Sequence, residues 1–478
     1  MLTRLRVTGF KNLVDVEVAF GPFSCFAGLN AVGKSNLFDA LLFLRDLSDY
    51  TIVEAAARVR DPVRRSGDVR ALFTRTTRGF VDRMTFDADV IVSRVVEDDF
   101  GRKATAVATF LNYKLTFRLI EGGVNDRAEV QLESEDLTYI SSGKAKERML
   151  FAHSNSFRRS VVQGPGKRTV PFITTEGLDN DSPEINLHTD GGRSGKPFPV
   201  PARASPKTIL GGVNTVSHPT VLAARREFQS WKLLQLEPSA LRQPDEFNAD
   251  PHVSATGAHL PSTLARLQAT SNVATRLAEL LPDVRIVHVD EDEGRRLRTL
   301  SVAGRDGVRH PARSLSDGTL RFLALSTISV DPEAGGLICL EEPENGIHPS
   351  RIPNMLYLLR DMAVDPQTSI GEENPLRQVI INTHSPLVVS ELPDDSLIYA
   401  QLAKSQKSTS VVLRCIEGTW RNRAMGMPAV AKGELVSYLG GIPYYGRARR
   451  RKGNKDHTVA DFGFEQGIFE FMREASDL

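Results

Sequence analysis

The sequence predicts an α/β protein: a mixed, largely parallel sheet feeding a glycine loop, an antiparallel β subdomain and a helical subdomain, without a long coiled coil. Three observations lead there. Near the N-terminus the apolar run Phe23–Ala27 enters a glycine loop that opens an apolar helix. Far downstream, two more apolar runs end in chemistry-bearing residues, Leu337–Leu340 in a pair of acids and Val379–Ile381 in Asn-Thr-His. Between them lie short runs whose hydrophobicity alternates with a period of two.

The elements follow in order. Leu2, Leu5 and Val7 open a first strand, and Val14 to Phe20 alternate as a half-buried second. After the glycine loop, Asn36 to Leu44 is apolar on most faces, which predicts a buried helix. Thr85–Val92, Ala104–Phe110, Leu115–Leu119 and Ala128–Leu132 read as an antiparallel meander. Residues 141–216 are rich in Ser, Gly, Pro, Lys and Arg with little periodicity, and read as a loop-rich insertion. Helical spacing returns at Phe228–Leu241 and Leu260–Leu281, and strands at Val284–Val289 and Leu297–Val302. No heptads are sustained and no repeat is visible. The expected organisation is an N-terminal lobe 1–140, an insertion 141–230, a helical subdomain 231–300, a C-terminal lobe 301–417, and a polar, basic tail 418–478.

Composition narrows the class. The 478 residues are 41% hydrophobic and 25% charged, ordinary for a globular chain. A formal net charge of +1 supplies no bulk attraction to nucleic acid or anionic membrane, so any such contact must be local. Three cysteines are too few and too scattered for a disulfide framework or zinc site, and Cys25 and Cys339 sit in apolar runs as core residues. No apolar run has the length to cross a bilayer, and the N-terminus lacks the apolar core of a signal peptide; the expected location is cytoplasmic.

The segment Gly28-Leu29-Asn30-Ala31-Val32-Gly33-Lys34-Ser35 has the G-x-x-x-x-G-K-S spacing of a phosphate loop. Its glycines permit a backbone path that aims consecutive N–H groups at phosphate oxygens, and the following helix adds its positive end. Lys34 would reach the terminal phosphates and Ser35 would ligate Mg²⁺. Glu341 and Glu342 end a buried strand; the first can support the metal and the second can orient or deprotonate an attacking water. Ser316-Asp317-Gly318 opens a helix and offers a hydroxyl and free N–H groups to an anion, or simply caps that helix. His384 can meet a γ-phosphate or the attacking water, or serve a structural role.

In order along the chain, GLNAVGKS, SLSDGT, LICLEEPENGIHP and IINTHSP resemble the ABC-type ATPases of the RecF/SMC/OLD group, and within it the small bacterial branch associated with anti-phage defence. The resemblance covers about residues 1–140 and 230–400 and implies an ABC-ATPase head. It assigns Asn30, Gly33, Lys34, Ser35, Asn36 and Lys11 to ATP, and Ser35 and Glu341 to Mg²⁺. Glu342 and His384 become the catalytic pair. Ser316 and Gly318 would contact ATP held by a second copy, so that ATP joins a homodimer or higher oligomer. Glu341 stands where many members have aspartate, and no Q-loop glutamine is evident; Leu72-Phe73-Thr74-Arg75, in the expected place, lacks one.

The branch implied is an ATPase that holds and releases a separately encoded effector, such as a nuclease or toxin, in an anti-phage system. Trp231–Leu264, with Leu236–Arg242 inside it, resembles a helical region of those proteins. No separated Glu and Asp-x-Asp pattern follows His384, so no intrinsic nuclease is expected. The alternatives are a RecF-like DNA-binding ATPase and a scaffold with little turnover. The first rests on the run Arg447–Lys455, which could neutralise DNA or RNA phosphates beside Tyr444 and Tyr445.

Overall fold

The computed structural model describes residues 1–440 except 60–67, 123–127, 165, 167, 181, 192–197, 282 and 405–408. Its centre is a seven-stranded sheet. From edge to edge the strands are Lys232–Leu234, Gly336–Glu341, Arg377–Thr383, Phe23–Ala27, Leu397–Lys404, Thr409–Ile416 and Ala429–Val430. The first five are mutually parallel, and Thr409–Ile416 returns antiparallel. Strands covered on both faces read as unbroken apolar runs, as Leu337–Leu340 and Val379–Ile381 do.

Register sets where the motifs meet. Glu341 lies opposite Asn382, and Thr383 lies opposite Ala27, the last strand residue before the phosphate loop. Three motifs distant in sequence therefore leave the sheet together at its carboxyl edge, where open α/β sheets bind ligands.

A second, antiparallel sheet has eight strands. Its order is Phe198–Pro201, Glu184–Leu187, Ile173–Glu176, Glu129–Tyr139, Phe110–Ile120, Arg83–Ile91, Leu2–Phe10 and Leu13–Ala19. The loop helix, Lys34–Leu47, packs on it: Phe43 meets Phe10, Phe86 and Phe117 with ring centroids 6.1, 5.5 and 5.6 Å away. Its core also takes in Leu337, Cys339 and Ile380 of the central sheet. Truncating the fully buried Phe43 to alanine would cost about 3–5 kcal/mol. A third, four-stranded sheet (Asp245–Glu246, Leu297–Ala303, Ile286–Asp292, Arg309–Pro311) joins helices Leu260–Leu267 and Thr270–Leu280.

Four sequence expectations change. Leu115–Leu119 lies within a longer, eleven-residue strand, Phe110–Ile120, while Ala104–Phe110 is not one strand: Lys103–Thr105 pairs with Val95–Glu97, and Phe110 opens the longer strand. Segment 141–216 is more than loops: between them it supplies three strands that extend the antiparallel sheet, plus helices Ser142–Arg148, Asn155–Val161 and Ile209–Gly212. Its strands are only four residues long, too short to display a period. Phe228–Leu241 is not one helix, because helix Pro219–Gln229 ends and Lys232–Leu234 pairs beside the acid-bearing strand. Residues 418–440 are not a tail: Ala429–Val430 joins the central sheet and helix Lys432–Leu439 buries Leu435. Arg447–Lys455, Tyr444 and Tyr445 lie outside the described residues.

The longest described helices, Lys34–Leu47 and Asp317–Val330, have 14 residues each, and none is long and apolar enough to cross a membrane. The three cysteines are buried and unpaired.

Candidate functional site

A cleft of about 910 Å³ opens at the carboxyl edge of the central sheet. One wall is Asn30, Ala31, Gly33, Lys34, Ser35 and Asn36; the facing wall includes Glu341, Glu342, Asn345 and Asn382. The remaining side is the Leu234–Pro238 segment with Arg321 and Leu325. Residues from opposite ends of the chain thus share one cavity of the size small ligands occupy.

The loop is built by close approach. Gly33 has φ 101° and a Cβ there would fall 2.3 Å from Asn12 Nδ2, so only glycine fits. A Cβ on Gly28 would meet the Ala400 carbonyl oxygen at 2.5 Å. Asn12 braces the turn from outside, donating to the Val32 carbonyl at 3.3 Å and accepting from Asn36 Nδ2 at 2.6 Å. Lys34 Nζ donates to the carbonyls of Gly28 (2.5 Å) and Leu29 (2.8 Å). Burial lowers its proton affinity, while the charges of Glu342, Glu344 and Glu341 oppose that.

At the acid wall, Glu342 adopts φ 45°, a left-handed conformation that costs a non-glycine residue of order 1 kcal/mol. Its N–H is clamped by the Asn382 carbonyl (3.0 Å) and Asn382 Oδ1 (3.1 Å), which holds the strained turn. Asn382 Nδ2 also donates to Glu341 Oε1 at 3.2 Å, so one amide positions both acids. The Glu342 carboxylate accepts from Asn345 Nδ2 at 2.8 Å and meets His384 Nδ1 at 2.7 Å. Its burial would raise the pKa, but hydrogen bonds from Asn345 and His384 and the charges of His384 and Lys34 outweigh it and hold Glu342 below its ordinary value. In a neutral imidazole this contact assigns the proton to Nδ1 and leaves Nε2 as the free nitrogen.

The structure therefore brings together Asn30, Gly33, Lys34, Ser35, Asn36, Glu341 and Glu342 on the cleft walls, with His384 bonded to the last. Lys11 is not on the cleft wall; its ammonium pairs with Asp39 of the loop helix at 2.7 Å. Ser316 and Gly318 do not line the cleft either. Ser316 is exposed and caps its own helix, accepting from Thr319 N–H at 3.2 Å, while Arg242 holds Asp317 at 2.5 Å.

Other site residues were not singled out from sequence. Asn345 and Asn382 stand inside motifs already quoted, where a short amide beside an acid was the available signal. Gln235 lines the cleft at the end of strand Lys232–Leu234, and was hidden by the helical reading of that stretch. Arg321 lines the cleft and donates from Nη1 to the Asn345 carbonyl.

The donor set fits a nucleoside triphosphate with Mg²⁺: a glycine cradle that no Cβ could enter, an ammonium and hydroxyl at a helix start, and carboxylates across the cavity. Ser35 and Glu341 would hold the metal, which supplies neutralisation of phosphate charge.

Residues 228–390 match the family model described as "AAA domain, putative AbiEii toxin, Type IV TA system". The DNA replication and repair protein RecF of Bacteroides thetaiotaomicron is 44% identical over 45 residues, 9% of this chain and 12% of that protein's length. Among solved structures, an SMC head bound to the C-winged helix domain of ScpA aligns at 13% identity and TM-score 0.46, covering 89% of this chain and 99% of that one. The SMC head domain from Thermotoga maritima aligns at 12% identity and TM-score 0.39, covering 86% and 98%.

Proposed function

We propose that this chain is an ABC-type RecF/SMC-like ATPase, a reading its motif order and the family match over residues 228–390 support, and that it hydrolyses ATP at a site completed by a second copy of itself. One observation carries the reading: Lys34 and Ser35 face Glu341 and Glu342 across a single cleft, with His384 bonded to Glu342. The loop N–H groups and Lys34 bind the β- and γ-phosphates. Glu342, kept ionised by its neighbours, takes a proton from the attacking water as the water oxygen bonds to the γ-phosphorus. The bond from that phosphorus to the β,γ-bridging oxygen breaks, and ADP leaves with that electron pair. His384 Nε2 is free to contact the γ-phosphate or the water.

The exposed Ser316 and the absence of Ser316 and Gly318 from their own cleft support their use by a neighbour's nucleotide. ATP would then favour the paired state by binding it better than the open one. On this reading turnover times the holding and release of a partner protein, and the family's description, which names a toxin and a toxin–antitoxin system, supports an effector as that partner. The 45-residue likeness to RecF supports a second reading, in which the partner is DNA.

Phosphate release from Mg²⁺-ATP by the purified chain tests the core of the proposal. Turnover that disappears in Lys34→Ala and Glu342→Gln is expected. Wild-type turnover absent, or equal in Glu342→Gln, would overturn it.

A further inference from the structure

The acid segment carries a third carboxyl group, Glu344, that the mechanism above does not use. It is buried, 7% exposed, two residues beyond Glu342. Thr383 Oγ1 donates its proton to Glu344 Oε1, and the same Oγ1 accepts from Ser385 N–H at 2.9 Å. Thr383 is fully buried and directly precedes His384, while its carbonyl accepts from Gly28 N–H, the first residue of the phosphate loop, at 3.2 Å. The other carboxyl oxygen, Oε2, is buried with no hydrogen-bond partner among the described residues. Burying a carboxyl so incompletely satisfied is costly, and an apolar residue of similar size would fill the same space without that cost.

We propose that Glu344 is a positioning residue for hydrolysis: through the Thr383 hydroxyl it sets the turn that delivers His384 to Glu342 and ties that turn to the phosphate loop. The inference rests on the ATPase reading. Thr383 has one hydroxyl proton and spends it on Glu344, so the rotation of that hydroxyl, and the lone pair it offers Ser385, are set by the carboxylate. Releasing it frees the turn around His384 with the side chains of Lys34, Ser35 and Glu342 unaltered; the charge of Glu344 also reaches Lys34, and Glu344→Gln removes that charge while keeping the acceptor for Thr383. Misplacing a reacting group by about 1 Å costs up to about a hundredfold in rate.

Four variants of the full chain test this by steady-state hydrolysis and by ¹⁵N NMR of the histidine rings. Thr383→Ser and Glu344→Gln keep a hydroxyl and an acceptor, and should hold kcat within about threefold of wild type. Thr383→Val should lower kcat by about tenfold or more with KM for ATP little changed. It leaves Glu344 wholly unpaired and destabilised, so the decisive variant is Thr383→Val/Glu344→Met, which replaces both partners by apolar groups and should recover wild-type thermal stability. The inference predicts that this double variant melts like wild type yet stays slow, and that its His384 loses the Nδ1-protonated signature. Wild-type kcat in the double variant, or an unchanged His384 signature, would overturn the positioning role. Absence of turnover in the wild type would instead remove the ATPase reading, while the His384 signature would still report on the tether.

Discussion

Asn345 Nδ2 donates to Glu342 Oε2 at 2.8 Å while His384 Nδ1 meets Oε1 of the same carboxylate at 2.7 Å, so both oxygens of the candidate base are engaged. Asn345 in turn receives Arg321 Nη1 on its carbonyl. The carboxylate is thus linked at one oxygen to the helix that starts at Asp317, and at the other to the strand that ends at Thr383. An amide three residues from an acid is a short-range relation; the histidine partner comes from another strand.

Because Glu342 is held ionised and clamped, exchanging it for glutamine removes the proton acceptor and leaves the shape. Glu342→Gln is expected to lower turnover by about a hundredfold to ten-thousandfold while ATP still binds. Phosphate release and fluorescent-nucleotide titration, run side by side, check both halves. A comparable loss of binding would show that the residue holds nucleotide and does not act on water.

If Ser316 serves a neighbouring copy, two inactive variants should complement. Lys34→Ala cannot bind its own ATP, and Ser316→Arg cannot complete another copy's site. Each alone is expected to be inactive. An equimolar mixture should regain a measurable fraction of wild-type turnover, since one interface in the mixed pair retains an intact Lys34 facing an intact Ser316. A mixture as inactive as its parts would place Ser316 in the structural capping role that its Thr319 hydrogen bond already displays.

Gln235 stands at the end of the edge strand, next to Glu341 in register, with its backbone N–H given to Ala255 at 2.8 Å, which anchors the segment beside the acids. Gln235→Leu keeps the volume and deletes the amide. We expect about a tenfold loss in kcat with a smaller change in KM, as for an interaction made chiefly in the transition state. Unaltered kinetics would make Gln235 a wall residue only.

Away from the cleft, Glu135 is fully buried and accepts hydrogen bonds from Tyr113 Oη (2.9 Å), Ile209 N–H (2.6 Å) and Leu210 N–H (2.9 Å). Burial pushes its pKa from 4.5 up to about 7, against those hydrogen bonds. The folded protein then binds a proton that the unfolded chain releases, so this group's contribution to stability is fully present below pH 4.5 and is lost as pH rises through about 7. A shift of that size corresponds to about 3 kcal/mol. Denaturant midpoints measured from pH 4.5 to 7.5 should decline less steeply in Glu135→Gln than in wild type. Parallel pH dependences would show that Glu135 does not hold this proton.

The glycine loop was legible because the chemistry proposed for it is local: Gly28, Gly33, Lys34 and Ser35 would act through consecutive backbone N–H groups and one helix start. The acid pair and His384 were legible because a strand buried on both faces announces itself as an apolar run, and its end is where the run stops. Gln235 was not, because the three-residue strand Lys232–Leu234 is too short to show a period and sits between two helices. The three strands between 173 and 201 escaped for the same reason. Asn382 and Thr383 were in view as letters, but nothing in a linear sequence says that one amide grips two acids or that one hydroxyl is spent on Glu344.

From sequence alone follow the α/β class, the order of the motifs, the residue types gathered at the candidate site, and the burial of Cys25 and Cys339, each set by residue type and local period. Tertiary structure alone decided which groups meet. Parallel register set Glu341 beside Asn382 and Thr383 beside Ala27, and thereby placed His384 on Glu342 and both across from Lys34. It also turned Lys11 to Asp39, and left Ser316 on an exposed face outside its own cleft. Register depends on how strands far apart in the chain pack into one sheet, a long-range property that no local pattern encodes.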